Sequence, residues 1–149
     1  MMTKKSVAAL GALACTLVLT GCATSSTQAL LDEPQVAEDA LPDLSFLEDG
    51  GPIELVPSTS RLLGEAEGAR FWAARDEVGD FCILSMPLDA PDEPVIGCTG
   101  GDGDSLGLSG EAVPTVSWHA DGAPEGREGD TVLRDHLLVR APYASGGSR

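Results

Sequence analysis

The sequence contains no asparagine, and it contains no lysine after Lys5. Aromatic residues are also scarce, with three Phe, two Trp and one Tyr among 149 residues. Only nine Lys and Arg face 24 Asp and Glu, which gives a formal net charge of −15. Phosphate backbones and anionic lipid headgroups repel such a surface, so the composition argues against nucleic-acid binding and against direct binding to lipid headgroups.

The longest apolar run covers residues 6–20 and follows a short basic head that ends at Lys5. A helix of this length rises only about 22 Å, which is too short for a hydrocarbon core of about 30 Å. A basic head followed by an apolar run of this length is typical of a secretory signal peptide.

The apolar run ends at Leu19-Thr20-Gly21-Cys22. These four residues resemble the lipobox of bacterial lipoproteins, in which the cysteine receives diacylglycerol and becomes the mature N-terminus. The resemblance implies a signal peptide over residues 1–21, acyl chains such as palmitate on Cys22, and anchoring to the extracytoplasmic face of the cell membrane. Two acyl chains anchor a protein stably, whereas one does not. The alternatives are a plain secretory signal that leaves Cys22 as a free thiol, and an uncleaved anchor.

The lipobox assigns different roles to the four cysteines. Cys15 leaves with the signal peptide and Cys22 carries lipid, which leaves Cys82 and Cys98 as an even pair in an oxidising compartment. We predict a disulfide between them, and closing a loop of about 15 residues contributes about 3 kcal/mol in the chain-entropy model. Zinc is the competing interpretation, but the pair matches no usual ligand spacing with the two distant histidines.

Residues 22–57 comprise the lipidated cysteine and a stretch rich in Ala, Ser, Thr, Pro, Asp and Glu. Its apolar residues are scattered without a sustained period, and low apolar density with high negative charge cannot offset the entropy of ordering. We therefore predict a disordered acidic tether that holds the domain roughly 30 Å from the membrane. The alternative is that residues 41–47 dock on the domain as a short helix.

Residues 58–141 have the apolar density of a folded unit, and residues 142–149 are predicted to be a disordered tail. Short apolar runs with period-two alternation between Gly- and Pro-rich turns indicate β-strands. We predict one small, mostly β domain, an antiparallel meander or sandwich-like fold with one disulfide. The predicted strands cover residues 71–74, 81–88, 95–98, 106–108, 115–119 and 131–140, with turns at 77–80 and 121–130.

Alternation also assigns side chains to faces of these strands. Val116 and Trp118 should point inward and His119 outward, and Trp72 should also lie in the core because large aromatic residues are few. Residues 131–140 are predicted as the closing strand, with a helix as the alternative. The residues predicted to share one face of the strand at 81–88 are Cys82, Leu84, Met86 and Leu88.

The domain is similar to small domains of secreted proteins and lipoproteins of high-GC Gram-positive bacteria whose functions are unassigned, so the resemblance implies no activity. The residues that carry it are Arg61-Leu62-Leu63-Gly64, Phe71-Trp72-Ala73-Ala74-Arg75-Asp76, Gly79 with Cys82, Cys98, and Val132-Leu133-Arg134-Asp135-His136-Leu137-Leu138-Val139.

Two motifs lie in the Gly-rich loop. Gly103-Asp104-Ser105-Leu106 matches the nucleophile block of GDSL-type esterases, but those enzymes need a longer domain, an asparagine, and an Asp three residues before the catalytic His. Asp102 to Gly107 resembles the start of an EF-hand calcium loop. Its fifth position is Leu106 instead of Asp or Asn, and its twelfth is Val113 instead of a bidentate Glu. We interpret the loop as a solvated turn and leave weak calcium binding open.

His119 and His136 are the remaining candidates for acid–base chemistry. Spacing places no nucleophile or carboxylate beside either one, and Asp135 would point to the opposite face of a strand from His136. We predict ordinary surface or half-buried histidines, no catalytic residue, no metal site and no cofactor.

The expected function is therefore that of a membrane-anchored envelope lipoprotein. Its domain is predicted to be a non-enzymatic binding or structural module with an envelope protein of unknown identity as its partner. The alternatives are a hydrolase or other enzyme acting on envelope material, and a small-ligand carrier. An enzyme requires His119, His136, Ser105 and the acidic loop to meet in one cleft, whereas a carrier requires a sizeable apolar cavity.

Overall fold

The computed structural model describes residues 25–44, 53–101 and 103–142. The predicted signal peptide, the lipobox with Cys22 and residues 143–149 lie outside these ranges. No helix in the described ranges is long and apolar enough to cross a membrane. In chain order the elements are α1 (Ser26–Leu31), a 3₁₀ turn (Ala37–Asp39), β1 (Leu55–Ala66), β2 (Ala69–Asp76), β3 (Phe81–Pro87), β4 (Val95–Thr99), β5 (Ser105–Leu108), β6 (Val116–His119), β7 (Thr131–Leu133) and β8 (Leu137–Val139).

The strands form two four-stranded antiparallel sheets. The first sheet has the order β1-β2-β3-β4 and the second has the order β5-β6-β8-β7. β4 lies beside β5 and β1 lies beside β7, so the sheets meet at both edges and face one another between them. The predicted fold class, a small antiparallel and mostly β domain with sandwich-like layers, is confirmed.

Alternate side chains of the strands fill the space between the sheets. The rings of Phe81 and Trp118 meet in this space with centroids 5.0 Å apart, and both residues are fully buried. Val116 is buried beside Trp118, which confirms the predicted inward face of β6. The other members of this inner core are Leu30, Leu31, Leu63, Ala69, Phe71, Ala73, Ile83, Leu108, Leu137 and Val139.

The first sheet is buried on its outer face as well. Continuous apolar runs in β2 and β3 are typical of strands covered on both sides. Trp72 is buried as predicted, but it lies in this outer cluster and not between the sheets. Cys82 and Cys98 stand directly opposite each other on β3 and β4, with their sulfurs 2.00 Å apart, so the predicted disulfide is confirmed. The other cluster members are Leu55, Ala74 and Leu84, with Leu41, Leu44, Ile53, Leu62, Met86 and Ile96 packed against them.

Leu88 does not share the face of Cys82, in contrast to the prediction. β3 ends at Pro87, and Leu88 lies beyond it with a half-exposed side chain. Its backbone N–H donates to the carbonyl of Gly68 in the turn between β1 and β2. The strand pairing therefore ends one residue before the apolar pattern does.

The prediction of a single closing strand over residues 131–140 is wrong. The region is a tight hairpin of β7 and β8, in which Leu133 pairs with Leu137. Arg134 and Asp135 adopt φ values of 51° and 60° in the left-handed region, and this reverses the chain. Two residues paired across a hairpin point to the same face, so their spacing also satisfies the alternation expected of one strand.

The predicted tether over residues 22–57 needs correction wherever the structure describes it. α1 places Leu30 and Leu31, 6 % and 7 % exposed, in the inner core. Leu41 and Leu44 pack on the outer cluster, as the docking alternative for residues 41–47 predicted, although without a helix; residues 45–47 lie outside the described ranges. β1 begins at Leu55, ahead of the predicted boundary at residue 58.

Buried polar groups also fasten this N-terminal segment, residues 25–44, to β1. The Asp39 carboxylate accepts hydrogen bonds from the backbone N–H of Val36 (2.8 Å) and of Leu62 (2.7 Å). The guanidinium of Arg61, 5 % exposed, donates to the carbonyls of Leu31 (2.7 Å) and Glu33 at the end of α1. Cationic groups satisfy the last carbonyls of a helix in this way. The contact of Asp39 with Leu62 and the contacts of Arg61 with the end of α1 join residues 23 to 30 apart in sequence, so a periodic pattern does not reveal them.

Candidate functional site

The Gly-rich loop before β5 was predicted to be a solvated turn, but at Gly103 it is buried and belongs to the core. The carbonyl of Gly103 accepts hydrogen bonds from the Thr27 hydroxyl (3.2 Å) and the Trp118 indole N–H (3.1 Å). Gly103 has a φ of 70°, and a Cβ there would lie 2.7 Å from atoms of Phe81. Only glycine fits this conformation and this close approach. The loop therefore closes one end of the sandwich.

The two motifs of this loop do not form the sites that they resemble. Ser105 begins β5 and pairs with His119 across the second sheet. Leu106 packs against the inner core and Val113 is buried, so two positions that would carry calcium ligands in an EF-hand are apolar and packed. Asp102 lies outside the described residues.

Both histidines are half-buried, as predicted; His119 ends β6, and His136 lies in the turn immediately before β8. The backbone N–H of His119 donates to the carbonyl of His136 (3.0 Å), and Nδ1 of His136 lies 3.0 Å from the carbonyl of His119. The His136 ring also contacts Trp118, with centroids 5.1 Å apart. His136 therefore serves to hold the end of β8 against β6.

Sequence reasoning missed a contact between Ser117 and His119. Nε2 of His119 lies 3.1 Å from the hydroxyl of Ser117, and the two residues share the outer face of β6. Residues two apart on a strand point to the same side, so the sequence Ser117-Trp118-His119 already indicates that the serine and the histidine are neighbours. A hydroxyl within hydrogen-bond reach of an imidazole is the first requirement for nucleophilic catalysis. Within the described residues, no hydrogen bond joins His119 to a carboxylate that would orient the ring.

One cleft of the described structure lies beside the outer cluster, and we call it the larger cleft because its volume exceeds that of the cleft described next. It has a volume of about 750 Å³ and is bounded by residues 35–44, residues 53–58 and Ile96. Its apolar lining includes Leu41, Leu44 and Leu55. Ligand sites of proteins are concave and mostly apolar, with a few polar groups that fix orientation. The polar residues of this cleft are Gln35, Asp43, Glu54 and Ser58.

The smaller cleft, about 590 Å³, carries two arginines, Arg127 and Arg140. Asp130 lies between them, almost fully enclosed, with its carboxylate 3.1 Å from Arg140 and 3.7 Å from Arg127. Backbone N–H groups of Arg127 and Ala141 also donate to Asp130 and lower the pKa of its carboxyl, and the two guanidinium groups act in the same direction. Since one buried carboxylate binds both arginines, this arrangement fixes the loop of residues 121–130.

Neither cleft is lined by Ser105, His119 or His136. The potential metal ligands that come together in the described residues are Asp76, Cys82 and Cys98, whose ligand atoms lie within 4.8 Å of one another. Both sulfurs of that group are joined in the disulfide, so neither is a thiolate that can bind a metal.

Comparison with known proteins gives no family model, no curated protein and no solved structure that matches this chain. The resemblance to small domains of secreted proteins stays a prediction, as does the lipobox.

Proposed function

We propose that the protein is a lipoprotein of the cell envelope, anchored through Cys22 to the extracytoplasmic face of the membrane. Its domain acts as a non-enzymatic binding or structural module. The observation that supports export of the protein from the cytosol is the disulfide between Cys82 and Cys98. Disulfides persist in exported proteins and are rare in the cytosol, so a disulfide agrees with a secretory signal.

The binding role is supported by the larger cleft, the cleft of 750 Å³. Its walls come from the N-terminal segment and from β1, and the buried hydrogen bonds of Asp39 and Arg61 hold these two walls together. A preformed cleft binds a partner without the entropy cost of ordering its own walls. The lining combines apolar side chains with the polar residues Gln35, Asp43, Glu54 and Ser58, which suits an envelope protein that offers both apolar and polar groups.

The anchor is tested by labelling cells with a radioactive or clickable fatty acid. The wild-type protein should incorporate the label, and Cys22→Ser should not. Cys15→Ser is the matched control because Cys15 also lies in the N-terminal 22 residues but outside the lipobox. Incorporation by the Cys22→Ser variant would show that the anchor assignment is wrong.

The binding role is tested by cross-linking the lipidated protein in membranes and identifying what is captured. Ser58→Arg places a long side chain in the lining of the larger cleft and should abolish capture of a specific partner. Ser109→Arg adds the same exposed side chain away from both clefts and should retain it. Capture that is equal in both variants would exclude this cleft as the binding site.

A second candidate function is that of a hydrolase, and the contact between Ser117 and His119 is the observation that favours it. An activated serine reacts with fluorophosphonate reagents. The proposed non-enzymatic function predicts no labelling of the folded domain. Labelling that is lost in Ser117→Ala and retained in Ser105→Ala would favour the hydrolase instead.

A further inference from the structure

We propose that the domain lies directly on the membrane surface, with a defined end of the sandwich facing the bilayer. The inference rests on the proposed lipid anchor at Cys22 and specifies where that anchor holds the domain. It replaces the predicted spacer of roughly 30 Å.

The first residue that the structure describes is Ser25, the N-cap of α1, whose hydroxyl accepts a hydrogen bond from the backbone N–H of Gln28 (3.2 Å). Two residues further on, Thr27 is fully buried. Its hydroxyl donates to the carbonyl of Gly103 and accepts from the indole N–H of Trp118 at 3.2 Å. The start of α1 is therefore fixed to the core of the domain.

Only Ala23 and Thr24 separate Cys22 from Ser25. Three steps along an extended chain span at most about 11 Å between Cα atoms. A folded unit of residues 25–142 is about 35 Å across, from the usual scaling of the radius of gyration with length. If Cys22 carries lipid, the distance between the start of α1 and the headgroups is therefore much smaller than the diameter of the domain.

The hydrogen bonds of α1 identify the end that faces the membrane. The side-chain oxygen of Gln28 accepts from Arg75 (2.6 Å), and Arg75 also donates to the carbonyl of Gly79 (2.6 Å). The turn between β2 and β3 therefore lies next to α1, together with the loop of Gly103; we call this the α1 end. The opposite end carries the turn between β1 and β2 and the adjacent Leu88.

The two ends are well separated along the first sheet. Arg75 pairs with Phe81 at the α1 end, and Ala69 pairs with Pro87 at the opposite end. Six steps along a strand correspond to about 20 Å. Each end offers an exposed aliphatic side chain outside the strands: Val78 is 82 % exposed at the α1 end and Leu88 is 48 % exposed at the other.

The partner of the α1 end is the surface of a lipid bilayer, and the short covalent link enforces the contact. Charge does not, because exposed acidic residues such as Glu77 and Asp104 lie at this end, and anionic headgroups repel them. The appropriate membrane for a test is therefore a vesicle of zwitterionic phosphatidylcholine.

The experiment uses the lipidated full-length protein in such vesicles, with a fluorophore attached to Val78→Cys or, as the matched control, to Leu88→Cys. A fraction of the lipids carries a nitroxide on the headgroup, which quenches over short distances. We expect quenching at residue 78 to exceed that at residue 88 severalfold. Inserting a 20-residue Gly-Ser spacer between Thr24 and Ser25, which extends about 25 Å, should abolish this difference.

Equal quenching at both positions in the protein without the spacer would overturn the inference, and so would strong quenching at residue 78 that survives the spacer. The mass of the N-terminal peptide separates these outcomes from failure of the anchor itself. A peptide with an unmodified Cys22 would overturn the proposed function and this inference together. A lipidated peptide with equal quenching would overturn the inference alone.

Discussion

The N-terminal segment and the hairpin of β2 and β3 both contribute to the inner core, but by different means. The hairpin forms seven consecutive residue pairs, and its two strands bury side chains on both faces. The segment has one helix of six residues and one 3₁₀ turn, and it reaches the core through Thr27, Leu30 and Leu31. One region is thus stabilised by a repeated pattern and the other by a few separate contacts.

This difference shows why order in the segment depends on the sandwich. A helix shorter than about 12 residues is marginal in water, so α1 owes its stability to tertiary packing. The hairpin, in contrast, forms its hydrogen bonds between neighbouring strands and is further joined to β4 by the disulfide. Changes to either region therefore distinguish a single cooperative domain from a sandwich with a loosely attached segment.

The largest effect is expected from removing the disulfide in the double variant Cys82→Ala, Cys98→Ala. Loss of this cross-link should lower the free energy of unfolding by about 3 kcal/mol. Urea denaturation followed by tryptophan fluorescence measures the change. Reduction of the wild-type protein should give the same shift, and an unchanged midpoint would contradict the stabilising role of the bond.

A smaller but more discriminating effect is expected from Leu30→Ala in α1. Leu30 is 6 % exposed in the inner core, so its truncation should lower the free energy of unfolding by about 2 kcal/mol. Val36→Ala is the matched control in the same segment, because Val36 is 56 % exposed and its truncation should change stability by less than about 0.5 kcal/mol. Equal and negligible effects of the two substitutions would restore the tether interpretation.

The smallest effect concerns the loop of residues 121–130, another region without regular structure that polar contacts hold in place. The lowered pKa of Asp130 means that its carboxylate stabilises the fold above the unfolded value of about 3.9, and that this contribution is lost as pH falls through the folded value. Asp130→Asn should therefore weaken the fall in melting temperature between pH 6 and pH 3. Asp121→Asn, an exposed residue of the same loop, should leave that fall unchanged, and identical profiles for both variants would contradict this role of Asp130.

Features that repeat along the chain could be predicted from the sequence. Alternation located most strands and the inward face of Val116 and Trp118, and the count of cysteines gave the pairing of Cys82 with Cys98. Alternation could not show that residues 131–140 form two strands, β7 and β8, because Leu133 and Leu137 satisfy the same alternation in a hairpin as in one strand. The fold class followed from local pattern alone.

Features that depend on single distant contacts could not be predicted. Thr27 and Gly103 are 76 residues apart in sequence, and nothing near either residue indicates their hydrogen bond. The same holds for the larger cleft, whose walls come from the N-terminal segment, β1 and Ile96. The close contact between Ser117 and His119 is the exception. The two residues are two apart on one strand, so the alternation of the strand already indicates that their side chains lie on the same face.

Amide hydrogen exchange in α1 tests most directly whether the N-terminal segment belongs to the fold. The measurement uses the soluble chain that begins at Ala23, with β3 as the internal reference. The N–H groups of Ala29 and Asp32 donate to the carbonyls of Ser25 and Gln28, both at 2.9 Å, and α1 is held to the core by Leu30 and Leu31. The account predicts that these two amides exchange far more slowly than in an unstructured peptide and lose this protection in Leu30→Ala. Exchange at the rate of an unstructured peptide, while the amides of β3 stay protected, would contradict it.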